Sequence, residues 1–182
     1  MRTEIRISGF GGQGVALAGV ILGKALTIYS DYEAVMTQSY GPEARGGASS
    51  ANLVVSDEPI DYPFVQHPDI LVALSQEAYT QFRPTARDGV VLLIDEDLVI
   101  PLENDEPYCI PSTRLAEKLG RRVVTNVVMV GYFTAVTGLL SREAVEKAIA
   151  DTVKPKTLSL NLKAFEVGFT HPVEKHLKRR SS

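Results

Sequence analysis

Apolar positions along the chain fall into two kinds of run, short β-branched stretches and longer segments of helical character. The first stretch, Glu4 to Ser8, alternates charged or polar with branched apolar residues and ends in a glycine cluster, so it predicts a strand. Further strands are predicted over Ala34–Gln38, Ser50–Ser56, Asp69–Ser75, Val90–Asp95 and, briefly, Tyr108–Pro111. The Asp69–Ser75 run follows Pro68 and is continuously apolar, the pattern of a strand inside a parallel sheet. Val15 to Ile28 reads as a helix with almost no polar residue and Lys24 as its only charge. A helix apolar on nearly all sides is buried on more than one face, here a sheet on one side and another subunit on the other. Gln76–Phe82 and Thr113–Leu119 are further helices, the second with Ser112 as N-cap and Gly120 as stop. Asn126–Thr137 is long and apolar, with Asn126 placed to cap it or, with Thr125, to face a ligand cleft. Val123–Thr125 fits a short strand or a loop. Ser141 caps Arg142–Thr152, where Ala144, Val145, Ala148 and Ile149 recur at helical spacing. Pro155 breaks that helix, and Leu158–Phe169 forms the last.

Strands alternating with helices define an α/β fold: a three-layer α/β/α single domain with a mostly parallel, mixed sheet and a Rossmann-like first βα unit. A loop joining two strands directly between Ser39 and Ser56 predicts an antiparallel pair within that sheet. The 182 residues suffice for one domain. Its expected span is 1–170, with 171–182 a polar, basic tail that frays from Lys175 onward.

Composition narrows the function mainly by exclusion. The chain is 45% hydrophobic and 23% charged, which argues against disorder. Its 19 basic and 22 acidic residues give a net charge of −3, which argues against nucleic acid or an anionic membrane as partner. Cys109 is the only cysteine, so this chain alone makes no disulfide and ligates no iron–sulfur cluster. His67, His171 and His176 are scattered and make no metal-binding motif. There is no signal-peptide pattern and no apolar run of membrane-spanning length, so a cytoplasmic protein is expected.

Half of the 14 glycines sit in two short loops. The first, Gly9-Phe10-Gly11-Gly12-Gln13-Gly14, has the form G-x-G-x-x-G between a strand and a helix. Backbone N–H groups at a helix start, with no Cβ in the way, form a site for a phosphate or pyrophosphate. The same pattern also serves as a tight turn. A dinucleotide site needs an acid near the end of the second strand, and Met36-Thr37-Gln38-Ser39 supplies none. No Lys-Ser/Thr follows the glycines, so the loop is not a Walker loop. The second loop runs from Thr37 through Tyr40, Gly41, Pro42, Glu43 and Arg45 to Gly46 and Gly47. Glu43 and Arg45 either pair locally or reach across a subunit interface, where Arg45 would hold a carboxylate or phosphate.

The two loops together, Gly9-Phe10-Gly11-Gly12-Gln13-Gly14-Val15 and Ser39-Tyr40-Gly41-Pro42-Glu43-Ala44-Arg45-Gly46-Gly47, resemble the gamma subunit of 2-oxoacid:ferredoxin oxidoreductases. The resemblance covers roughly Arg2 to Gly168 and extends to subunits for pyruvate, 2-oxoglutarate, branched-chain 2-oxoacids and indolepyruvate. It implies oxidative decarboxylation of a 2-oxoacid, with coenzyme A as acyl acceptor and ferredoxin as electron acceptor. Thiamine diphosphate and Mg are then held by alpha and beta partner subunits, and iron–sulfur clusters by beta or by a small ferredoxin-like delta subunit. The 2-oxoglutarate type is the expected sibling. This chain would close over the active site and help hold coenzyme A, and would contribute no catalytic residue of its own. Gly9, Gly11, Gly12, Gln13 and Gly14 are the expected coenzyme A pyrophosphate site. Tyr40, Gly41, Pro42, Glu43, Arg45, Gly46 and Gly47 are expected at the subunit interface near the cofactor. The rival readings are a stand-alone NAD-type oxidoreductase and a noncatalytic scaffold whose glycines only make turns.

Three single residues complete the picture. Cys109 reads as a small packing residue, because no activating base or cation is near it in sequence. Gln13 either donates to a phosphate or points at solvent. Lys24 snorkels from its buried helix to solvent or meets a charge on a partner.

Overall fold

The computed structural model describes residues 1–39 and 47–176. Six strands form one sheet in the order β2-β3-β1-β4-β5-β6. They are β1 (Arg2–Gly9), β2 (Glu33–Ser39), β3 (Ser49–Ser56), β4 (Ile70–Ala73), β5 (Val91–Asp95) and β6 (Tyr108–Ile110). β1 pairs parallel with β4, β4 with β5 and β5 with β6. β3 runs antiparallel to both β1 and β2. All strands but β3 therefore share one direction, which is the mixed, mostly parallel sheet that the sequence predicts. The antiparallel pair expected between Ser39 and Ser56 is β2–β3.

Both sheet faces are covered, and alternation along each strand decides which residue faces which layer. Ile5, Ile7, Ala51, Leu53, Val55 and Val72 pack into the core under α1 (Val15–Thr27) and α4 (Thr125–Thr137). Leu71, Ala73, Leu92 and Ile94 pack on the opposite face with Ala78, Tyr79 and Phe82 of α2 (Gln76–Phe82). α3 (Ser112–Lys118) follows β6, and α5 (Arg142–Thr152) and α6 (Leu158–Phe169) form an outer tier on α1 and α4. The apolar circumference of α1 is thus explained within the chain. Its sheet side meets β1–β3, and α5 takes the side expected to meet another subunit.

Two helix starts differ from expectation. Ser112 lies inside α3, with Pro111 at the N-cap position. The Ser112 hydroxyl donates to Asp95 Oδ2 at 2.7 Å, and the same oxygen accepts Thr113 N–H at 2.9 Å. A carboxylate from the end of β5 therefore does the capping from outside the helix. α4 starts one residue earlier than predicted, after a 3-10 turn over Arg122–Val124, so Asn126 sits in its first turn and does not cap it. Ser141 caps α5 as predicted, accepting Ala144 N–H at 3.1 Å. At the far end, Lys175 bridges Tyr108 and His176 N–H donates to Pro107 O at 2.8 Å. The segment expected to fray from Lys175 is pinned to the sheet edge at its first two residues; 177–182 lie outside the described residues.

Candidate functional site

The shared strand direction gathers the carboxyl ends of β1, β2, β4, β5 and β6 at one sheet edge, where ligands of open α/β sheets bind. Gly9 at the end of β1 pairs with Ser49 at the start of β3, and Ser39 at the end of β2 pairs with Ser50. The glycine loop and the start of β3 therefore face each other. Between them lies a cleft of about 300 Å³. Phe10, Gly11, Gly12, Gly14 and Val15 form one wall; Gln38, Ser39, Ser49 and Ser50 form the other.

The loop is tightly built. Phe10 O accepts Gln13 N–H at 3.2 Å, closing a turn. Gly12 and Gly14 have φ of 87° and 72°, a region that side chains strain to enter. Gly11 has no such requirement, and a Cβ there would meet nothing within 4 Å. Its missing side chain is explained neither by its backbone nor by its packing; it leaves the cleft open. Gly14 precedes α1 with no side-chain cap, and α1 has no acid in its first turn. The N–H groups of Gly11, Gly12, Val15 and Ala16 donate to no group among the described residues. Unpaired amides at a helix start carry partial positive charge. The edge is suited to an anion approached by backbone alone.

Gln13 does not point free into solvent. Its Oε1 accepts Phe10 N–H at 2.6 Å and its Nε2 donates to Leu74 O at 2.9 Å, so it braces the loop against the end of β4. Gly9 makes room for this brace, since a Cβ there would lie 2.5 Å from Gln13 Oε1. On the second loop, Tyr40, Gly41, Pro42, Glu43, Arg45 and Gly46 lie outside the described residues. Gly47 is half-buried and leads into β3. Asn126, which the sequence offers either as a cap or as a residue facing a ligand cleft, bonds to the loop: its Nδ2 donates to Gly14 O at 3.1 Å from 112 positions away. The only sequence signal was a polar residue in an otherwise apolar helix.

The remaining polar candidates stand apart from the cleft. Cys109 is half-buried on β6; burial, and secondarily Glu96, pushes its thiol up to about 11. His171 packs edge-on against the Tyr132 ring, and burial lowers its pKa. His67 Nδ1 lies 3.0 Å from Thr85 O. Lys24 does reach the surface, where Nζ donates to Asp151 O at the end of α5. A wide groove between α5 and α6 is rimmed by charges already paired with each other, as in Arg142–Glu146 and Lys147–Glu143, both at 2.8 Å.

A sheet with one reversed strand, layered by helices on both faces and with a bare glycine cleft at its carboxyl edge, defines a three-layer α/β module. Residues 4–171 match the family described as pyruvate ferredoxin/flavodoxin oxidoreductase. The 2-oxoglutarate synthase subunit KorC of Methanocaldococcus jannaschii is 53% identical over 174 residues, covering 93% of each chain. The pyruvate synthase subunit PorC of Methanothermobacter marburgensis is 36% identical, over 91% of this chain and 95% of its own. The crystal structure of a keto/oxoacid ferredoxin oxidoreductase gamma subunit from Geobacter sulfurreducens superposes with a TM-score of 0.84 at 44% identity, over 93% of this chain and 95% of that one. The chain belongs to the pyruvate ferredoxin/flavodoxin oxidoreductase family and is of its gamma-subunit type. The resemblance carried by the two loops is borne out, and so is the fold class.

Proposed function

We propose that this chain is the gamma subunit of a 2-oxoglutarate:ferredoxin oxidoreductase and that its glycine loop holds the pyrophosphate of coenzyme A. The complex would decarboxylate 2-oxoglutarate oxidatively, form the acyl-coenzyme A and reduce ferredoxin. The 2-oxoglutarate assignment is supported by the relatives: 53% identity to the 2-oxoglutarate synthase subunit against 36% to the pyruvate synthase subunit. In this reading the subunit works in the cytoplasm beside alpha and beta subunits, with or without a ferredoxin-like delta subunit. Thiamine diphosphate, with its Mg, supplies the decarboxylation chemistry from those partners, and iron–sulfur clusters there carry the electrons. Residues 1–170 act as the functional unit and 171–182 as an appendage.

The observation that carries the coenzyme A assignment is the bare wall of the cleft. Gly11, Gly12 and Gly14 line it with no side chain between backbone and ligand, and two negative phosphates fit unpaired amides at a helix start. Gly9 and Gln13 serve the same site by holding the loop. The described cleft wall opposite is Gln38, Ser39, Ser49 and Ser50, with no carboxylate for a dinucleotide ribose. Tyr40, Gly41, Pro42, Glu43, Arg45, Gly46 and Gly47 connect β2 to β3 beside this cleft in sequence. They are proposed to meet the alpha and beta subunits, with Arg45 toward the cofactor.

Gly11→Leu tests the site better than a change at Gly12, where φ of 87° strains any side chain. At Gly11 the new side chain meets no protein atom within 4 Å of its Cβ. The purified complex should assemble normally and keep its KM for 2-oxoglutarate while the KM for coenzyme A rises by roughly tenfold or more, the loss of one good polar contact. An unchanged KM for coenzyme A in an assembled complex overturns the site.

A further inference from the structure

We propose that Asn126 is a positioning residue for this site: it touches no ligand and acts by fixing the peptide between Gly14 and Val15. The inference rests on the coenzyme A reading above. Gly14 O accepts two bonds, from Ala18 N–H within α1 and from Asn126 Nδ2 of α4, both at 3.1 Å. A trans peptide is planar, with its C=O and N–H pointing in opposite directions. Holding Gly14 O against α4 therefore turns Val15 N–H away from α4. Val15 lines the cleft, and its N–H has no acceptor among the described residues. The direction of the amide offered to a phosphate is thus fixed jointly by the first bond of α1 and by a side chain from another helix.

The orientation of Asn126 is itself determined. Its Oδ1 accepts Val127 N–H at 2.9 Å, which leaves the NH₂ end for Gly14. The residue is 2% exposed, beside Ala18, Leu22, Leu74 and Met129. An apolar residue would fill such a position at no desolvation cost, so a buried amide there calls for a use. The fit is close on both sides, since a Cβ on Gly14 would lie 2.3 Å from Asn126 Nδ2. The αL geometry of Gly14 and the amide of Asn126 form one device.

The test compares two acyl acceptors in the assembled complex. Coenzyme A carries the pyrophosphate; pantetheine has the same thiol arm and lacks it. With Asn126→Ala, kcat/KM for coenzyme A should fall about tenfold, the worth of one hydrogen bond to a site amide, while kcat/KM for pantetheine changes less than twofold. An equal fall for both acceptors marks a merely structural residue and overturns the inference, as does no fall for either. If the Ala variant does not assemble, Asn126→Leu keeps the branched shape, removes the donor without adding charge and is read by the same ratio. Gly11→Leu run in parallel separates the two claims. If it weakens coenzyme A use and the Asn126 variants do not, the site stands and the positioning role fails. If it has no effect on coenzyme A, the site reading falls and takes the positioning role with it.

Discussion

Glu4 Oε2 accepts the backbone N–H of His67 at 2.9 Å, joining the first strand to a residue 63 positions away. The same oxygen accepts Gln66 N–H at 2.9 Å, and Oε1 accepts Arg2 at 3.1 Å. Glu4 is 4% exposed. Burial by itself raises its pKa, but the His67 and Gln66 amides and Arg2 outweigh it, so the carboxyl is held below its ordinary value. A depressed folded pKa means that the stabilisation is present above the unfolded pKa and is lost as pH falls through the folded one. The thermal midpoint should therefore drop below about pH 4.5 in the parent, near the ordinary carboxyl value. Glu4→Gln should cost about 1–3 kcal/mol at neutral pH and flatten that acid limb. A midpoint-against-pH curve unchanged by the substitution would refute the role.

Asp95 is fully buried and supplies the cap that α3 lacks. Its Oδ2 accepts Ser112 Oγ, Thr113 N–H and Thr113 Oγ, and its Oδ1 accepts Asp97 N–H at 3.1 Å. Asp95→Ala leaves these donors buried without an acceptor. Chemical denaturation should show a loss of roughly 3 kcal/mol or more, with Asp95→Asn losing less because one oxygen remains. Equal, small losses for both would mean that the capping is not needed.

Gly131 of α4 and Gly168 of α6 let two helix backbones touch. A Cβ on Gly131 would fall 2.1 Å from Phe165 O, and one on Gly168 would fall 1.8 Å from Val128 O. Those atoms are backbone and cannot rotate aside. Gly→Ala at either position should destabilise by about 1–3 kcal/mol despite the better helix propensity of alanine. The double variant should lose less than the sum, because the first alanine already parts the helices. Full additivity in urea melts would argue against one shared contact.

Cys109 should behave as an inert thiol. With its pKa pushed up to about 11 by burial and then Glu96, only about one thiol in a thousand is ionised at pH 8. Alkylation by iodoacetamide under native conditions should be slow at pH 8 and rise close to tenfold per pH unit up to about pH 10. A fast, pH-flat reaction at neutral pH would show a depressed thiol instead.

Much of the scaffold is legible one segment at a time. α2, over Gln76–Phe82, and α6, over Leu158–Phe169, coincide with their predicted spans, and α5 starts behind the predicted Ser141 cap. These features depend on periodicity, caps and breakers within a few residues, which is information the local chain contains. The glycine loop was legible for the same reason, because Gly12 and Gly14 answer a backbone demand made where they stand. Composition helped little with the site, since the cleft is described mainly by what its wall lacks.

What the sequence alone determined is therefore the set of elements, their mixed α/β class, the family pointed to by two glycine loops, and the glycine turn between β1 and α1. What only the tertiary structure decided is which distant group each polar side chain serves. Gln13 reads as a ligand donor and is found bonded to Leu74 O, 61 positions on. Ser112 reads as the N-cap of its own helix, and Asn126 as a cap or a residue facing a ligand cleft; they bond to Asp95 and to Gly14. Glu4 and Arg6 alternate with apolar residues like the wet face of a strand, yet Glu4 is buried and Arg6 bonds Asn52 and Val65 and lies over the Phe82 ring. The reason is physical. Helix and strand propensities are local terms, whereas a buried polar group is satisfied by whatever donor or acceptor the topology brings to it. Here that topology is set by β3 inserting between β2 and β1 and by β4 lying parallel beside β1.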